Sequence, residues 1–135
     1  MQKVLLDTNA YSLLLKGDSA VAAVVEQAKS VYFSSISIGE LLHGFRLGSR
    51  ENKNRAMLED FLNQSFVRTL SVTVETAQAY AEMVTTLKQN GTPIPMNDVW
   101  IAAHAMESGS TMVTLDRHFL KVPGLRVWPH LRAAN

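Results

Sequence analysis

A chain of 135 residues is the length of one domain and long enough to bury a core of its own. Its 47% hydrophobic and 19% charged content is ordinary for a globular protein, and a net charge of +1 leaves any attraction to nucleic acid or membrane to a local patch. The absence of cysteine excludes disulfides, thiolate metal sites and cysteine nucleophiles together.

In chain order, the first predicted element is a strand over Lys3–Leu6, in "KVLLDTN", closed directly by Asp7. Val21, Val24, Val25 and Ala28 recur at helical spacing, and a second strand follows over Val31–Ser34. Glu40 comes after Ser35-Ile36-Ser37. Met57, Leu58, Phe61 and Leu62 form a second helical stripe, and Val67–Leu70 a third strand. Val74, Ala77, Ala81, Val84 and Leu87 form a third stripe, stopping near Asn90-Gly91 ahead of Pro93 and Pro95. Asp98 opens a helix after "TPIPMN". Asp116 ends a fourth strand, Thr111–Leu115, and Leu125–Trp128 is a fifth strand candidate.

Strands alternating with helices predict an α/β fold: one domain over 1–135, with a central, mostly parallel sheet flanked by helices on both faces. No apolar run approaches the roughly 18 residues that span a bilayer, and the chain meets Asp7 too early to hold a signal-peptide core. A cytoplasmic protein without membrane contact is expected. The sequons at Asn63-Gln64-Ser65 and Asn90-Gly91-Thr92 carry no meaning without secretion.

Asp7, Glu40, Asp98 and Asp116 all fall at strand ends or helix starts, which parallel topology gathers on one rim, where such folds bind ligands. Each also has a structural reading. Asp7 and Asp116 suit helix N-caps, Ser37 to Glu40 matches a capping box, and Asp98 suits the positive end of a helix dipole. Asp98 strains that reading, because it heads the apolar stripe of Ile101, Ala102 and Ala105 with no lysine or arginine within one helical turn. Two carboxylates ~4 Å apart repel by about 4 kcal/mol at an effective dielectric near 20, so four converging acids call for a cation. Oxygen donors suit Mg²⁺ or Mn²⁺, and the chemistry such a cluster serves is displacement at phosphorus. Glu40-x-x-His43 resembles half of a di-iron motif, but no second copy exists, so His43 is not expected to be a ligand.

"LLDTN" (5–9), "SIGELLHG" (37–44), "PMNDVWIAAHA" (95–105) and "MVTLDRHF" (112–119) together resemble the PIN-domain nucleases, and among them the VapC-type toxins of bacterial toxin–antitoxin pairs. The likeness runs over residues 3 to 130. It implies a PIN-like domain in which Asp7, Glu40, Asp98 and Asp116 hold one or two Mg²⁺ or Mn²⁺ ions. Asp7 and Asp98 match direct ligands, while Glu40 and Asp116 complete the site. Thr114 matches a hydroxyl that hydrogen-bonds within the quartet, and Asn9 lies beside it in the motif. The resemblance further implies an endoribonuclease with an RNA substrate, a homodimer, and a cognate antitoxin protein that silences it. His118 and Phe119 belong to the same block and read as structural, Phe119 packing under the Asp116 loop.

Arg46, Arg50, Lys53 and Arg55, in "RLGSRENKNR", either contact RNA phosphates or form a solvated connection between helices. Other phosphoryl chemistries fit less well. A haloacid-dehalogenase site wants Asp-x-Asp where Asn9 stands, and a receiver domain wants paired acids after the first strand. A PIN-fold RNA-processing nuclease or RNA-binding protein outside any toxin–antitoxin pair is the remaining alternative.

Overall fold

Alternation of large apolar side chains along four short strands decides the architecture of the computed structural model, which describes residues 2–130. The outermost positions of the single domain expected over 1–135 lie outside the described residues. The strands are β1 (Lys3–Leu6), β2 (Ser30–Ser34), β3 (Val67–Leu70) and β4 (Thr111–Val113), all parallel, in the order β3-β2-β1-β4. Leu5 and Met112 point to one face of this sheet, where they meet Met83, Leu87, Ile101 and Phe119. Val4, Leu6, Val31, Phe33 and Val113 point to the other, against Tyr11, Val21, Leu41 and Leu58. The period of two along each strand therefore separates two cores, one on each face.

Helices α1 (Thr8–Leu15), α2 (Ser19–Gln27) and α4 (Glu51–Leu62) supply the second core. Helices α5 (Val74–Gln89) and α6 (Met96–Ser108), with a 3₁₀ turn over Arg117–Lys121, supply the first. Helix α3 (Ser35–Leu47) leaves the end of β2 and touches both, through Ile36 on one side and Leu41 on the other. Gly109, in the left-handed conformation at φ 68°, stops α6 and turns the chain into β4.

Four expectations change in detail. The fourth strand ends at Val113 rather than Leu115, which releases Thr114 to Asp116 into the rim. The fifth candidate, Leu125–Trp128, is not a strand: Val127 makes a single parallel bridge to Met112. Gly124 before it and Pro129 after it, which has no N–H to donate, leave no room for a longer ladder. On α5 the buried row is Thr76, Met83 and Leu87, flanked by Tyr80 and Val84, whereas Val74, Ala77 and Ala81 face out. Leu87 and, in part, Val84 are buried as expected, and the remaining positions pass to the larger side chains of the neighbouring row. Finally, Ser34 rather than Ser37 caps α3, its hydroxyl accepting from the Ile36 N–H at 3.1 Å, so no capping box joins Ser37 to Glu40.

Ser34 also meets the buried His104 of α6. The Nε2 of His104 lies 3.1 Å from the Ser71 carbonyl, which can only accept, and its Nδ1 lies 2.8 Å from the Ser34 hydroxyl. Nε2 thus donates to Ser71, and Nδ1 pairs with the Ser34 hydroxyl. Ser34→Ala should remove a cap and strand a buried imidazole nitrogen, at a cost of about 2–4 kcal/mol. Urea unfolding measures it; a loss below about 0.5 kcal/mol, the level of an uninvolved surface change, would show that the brace carries no stability.

Candidate active site at the carboxyl edge of the sheet

The chain builds β1, β2 and β3 outward in one direction, then returns to place β4 on the opposite side of β1. The gap between β1 and β4 is the topological switch point, beyond whose carboxyl ends open parallel sheets bind ligands. Asp7 stands there. Its N–H donates to the Val113 carbonyl at 3.0 Å, extending the ladder one residue past β1. Because Leu6 pairs with Val113, the next position of β4 brings Thr114 beside Asp7, and the Thr114 hydroxyl donates to Asp7 Oδ2 at 2.8 Å. Asp7 Oδ1 accepts from the Thr8 N–H at 2.8 Å, which starts α1.

Thr114 Oγ1 in turn accepts from the Asp116 N–H at 2.9 Å, and Asn9 Oδ1 accepts from the Leu115 N–H at 3.2 Å. Asn9 and Thr114 therefore hold the loop that carries Asp116. Asp116 caps the 3₁₀ turn by accepting from the His118 N–H at 2.9 Å, so its structural reading is realised at the same time. Phe119 is fully buried beneath this loop.

Glu40 lies in the second turn of α3, not at its start, and faces the same rim. The Thr8 hydroxyl donates to Glu40 Oε1 at 2.7 Å, and the Asn97 amide donates to Oε2 at 3.4 Å. Thr8 and Asn97 flank Asp7 and Asp98 in the sequence, so each acid's neighbour steadies Glu40. Neither role was legible beforehand, since Thr8 reads as a spacer within "DTN".

Asp98 sits in the first turn of α6, behind Pro95, with its side chain 14% exposed. The stripe it heads, Ile101, Ala102 and Ala105, is fully buried, as its spacing predicts. The partner that the sequence lacked within one turn arrives from twenty residues on: His118 Nδ1 donates to Asp98 Oδ2 at 3.0 Å and stands 3.0 Å from Asp116 Oδ1. One donor atom each from Asp98, Asp116 and His118 lie within 4.8 Å of one another, the sole such group of three or more metal-capable side chains among the described residues. His43 lies exposed on α3, outside that group.

Electrostatics ties the four acids into one system. Burial pushes the Asp7 carboxyl up to about 6, against hydrogen bonds from Thr114 and Thr8 that favour the ion, while the charges of Asp98 and Glu40 raise it further. Burial also raises Asp98, opposed by the His118 hydrogen bond and reinforced by Asp116 and Glu40. Each shifted acid thus feels two other members of the quartet. Four carboxylates, one buried and three half-buried, two of them with charged forms disfavoured by their neighbours, form a set that a divalent cation fits.

The basic segment behaves differently. Arg46, in the last turn of α3, lies 3.4 Å from Glu51, and Arg55 lies 3.5 Å from Glu59 on the same face of α4. Arg50 precedes α4 without a side-chain cap bond, and Lys53 lies in its first turn. All four are largely exposed, and two have acidic neighbours that dilute their charge.

Residues 4–125 match the PIN domain family. The chain belongs to that family. This PIN domain is 30% identical over 126 residues to the ribonuclease VapC2 of Rickettsia felis, covering 90% of this chain and 92% of the relative. It is also 30% identical over 132 residues to the tRNA(fMet)-specific endonuclease VapC of Salmonella typhimurium, covering 94% and 97%. Among solved structures it superposes on the VapBC2 complex of Rickettsia felis bound to a promoter DNA fragment, with a TM-score of 0.83 at 26% identity over 94% of this chain and 98% of that one. The PIN domain is thus of the VapC ribonuclease type, as its four motif blocks imply.

The Asp7 shift sets a pH dependence in the chelated protein. An acid whose folded pKa exceeds its unfolded value holds its proton longer in the native state, so stability falls as pH rises between the two values. For Asp7 that window runs from 3.8 to about 6. The stability of the wild type relative to Asp7→Asn should therefore drop by about 3 kcal/mol from below pH 4 to pH 7. Denaturant unfolding of both proteins in EDTA across this range is the measurement. A difference independent of pH would mean that Asp7 is not strained by its burial.

Proposed function

We propose that this PIN domain is a metal-dependent endoribonuclease acting in the cytoplasm as the toxin of a toxin–antitoxin pair, with Asp7, Glu40, Asp98 and Asp116 as its metal-holding, catalytic carboxylates. The observation that carries the reading is the buried Asp7 carboxylate at the switch point, raised to about 6 and sensing both Asp98 and Glu40. Mg²⁺ or Mn²⁺ held there supplies positive charge against the phosphate oxygens and a water made nucleophilic near neutral pH.

The protein's own groups do the rest. Thr114 and the Thr8 N–H fix both oxygens of Asp7, leaving it one orientation toward the rim. Thr8 and Asn97 hold Glu40, whose free lone pairs remain to orient a water. Asn9 and Thr114 keep Asp116 at the mouth, where its carboxylate is 31% exposed and reachable by a phosphodiester. RNA enters as substrate from that open side, and Arg46, Arg50, Lys53 and Arg55 lie on exposed α3 and α4 turns as candidate phosphate contacts.

Two protein partners complete the proposal. A cognate antitoxin is supported by the VapBC toxin–antitoxin complexes among the similar structures. The second is a homodimer, whose interface would cover apolar side chains among Leu47, Val74 and Met96, all mostly exposed.

Asp7→Asn and Asp98→Asn should each abolish divalent-ion-dependent cleavage of RNA, and expression of the wild type without its antitoxin should arrest growth. Undiminished cleavage by both variants, in preparations freed of contaminating nuclease, would remove the quartet from the mechanism. Cleavage without growth arrest would instead favour an RNA-processing nuclease outside any toxin pair.

Replacing Arg46, Arg50 and Lys53 together with glutamine tests the basic segment. Each lost phosphate contact should lower the slope of log affinity against log salt by about 0.7–0.9. An unchanged slope would identify the segment as a solvated connection.

A further inference from the structure

We infer that His118 is itself a metal ligand through Nδ1, completing with Asp98 and Asp116 a nitrogen-containing position that favours transition ions such as Mn²⁺ over Mg²⁺. The inference rests on the metal-dependent reading above and adds to it a ligand outside the four acids.

Geometry carries it. Nδ1 lies 3.0 Å from Asp98 Oδ2 and 3.0 Å from Asp116 Oδ1, and all three atoms fall within 4.8 Å of one another. Donors bonded at ~2.1 Å around an octahedral ion stand about 3.0 Å apart when adjacent and about 4.2 Å apart when opposite. Two of the three separations match adjacent donors around one ion, and the third falls within 4.8 Å. At present a hydrogen on Nδ1 sits between the two carboxylates, which can only accept. Ion binding replaces the Nδ1–H bond with an Nδ1–metal bond. For Nδ1 to hold an ion the ring would carry its proton on Nε2 instead, and the side chain's 42% exposure gives water access to move it.

The ring is also held in advance. The His118 N–H is fixed by Asp116 Oδ1, and the next residue, Phe119, is fully buried, so the backbone from which the imidazole springs is held beside both carboxylates. Imidazole suits first-row transition ions, whereas Mg²⁺ prefers oxygen and gives up water reluctantly. A site of oxygens alone discriminates weakly between Mg²⁺ and Mn²⁺; a nitrogen in the set tilts it toward Mn²⁺.

The test is calorimetric titration of the full chain with Mn²⁺ and with Mg²⁺, in wild type and His118→Phe, alongside pulsed EPR of the Mn²⁺-loaded wild type. Outer partners of metal ligands already contribute about 10–100-fold to affinity, so the variant should lose about tenfold or more for Mn²⁺ with little change for Mg²⁺. The EPR should show coupling to a nitrogen nucleus, a readout that needs no variant. Tighter binding of both ions by His118→Phe would make the imidazole a competitor of the metal and overturn the inference. So would unchanged affinities with no nitrogen coupling, which would leave an all-oxygen metal site and the nuclease reading standing. A wild type that binds neither ion would sink both.

Discussion

A carboxylate held almost without solvent at the end of a central strand is the constraint around which this molecule is arranged. Asp7 is 5% exposed and lies where β1 is flanked by β2 on one side and β4 on the other. Its hydrogen bonds come from the backbone after it and from Thr114 on β4's extension, so the position requires β1 and β4 to be neighbours in this register. A one-residue slip would move Thr114 away and turn Leu6 out of its core. Register and site are therefore the same fact seen from the core and from the rim.

That arrangement stores unfavourable electrostatics. Hydrogen bonds to Asp7 favour its ion, yet desolvation outweighs them, and Asp98 and Glu40 add repulsion. Evolution toward stability alone would replace such a group. Local conflict with good packing, centred on Asp7 and Asp98 in an otherwise consistent fold, is what a functional site looks like physically. The imidazole of His118 eases part of the conflict between Asp98 and Asp116.

The alternation of short aliphatic strands with helical stripes was legible because it depends on local periodicity. So was the gathering of the four acids, which follows from parallel topology once strand ends are located. Misreadings arose where two local patterns were equally good. On α5 the expected stripe keeps Leu87 and part of Val84 in the core, while Thr76, Tyr80 and Met83 take the places of Val74, Ala77 and Ala81, a choice that packing against α6 makes. Val127 looked like part of a strand, but proline and glycine nearby limit it to one bridge. The Thr8–Glu40 bond spans 32 residues and the Asp98–His118 bond 20, distances over which no sequence period operates. His118 reads from the sequence as a structural member of the Asp116 block, and its contact with Asp98, twenty residues away on α6, leaves no local signal.

Glu40 and Asp98 reach the rim from different helices, and independent helices would drift relative to each other. The brace of His104 limits this. It sits six residues beyond Asp98 on α6 and meets Ser34, the residue that caps α3 six residues before Glu40. Through the Ser71 carbonyl it also reaches the segment leaving β3. One buried ring thus ties the body of α6 to the start of α3 and to the segment leaving β3, with both nitrogens satisfied. An apolar residue of similar size would fill the same space but could not fix direction, because dispersion contacts tolerate sliding that a hydrogen bond of 2.8 Å does not. The polar group in this core is therefore best understood as setting the relative position of the acids at the rim, a role in which orientation matters more than net stability.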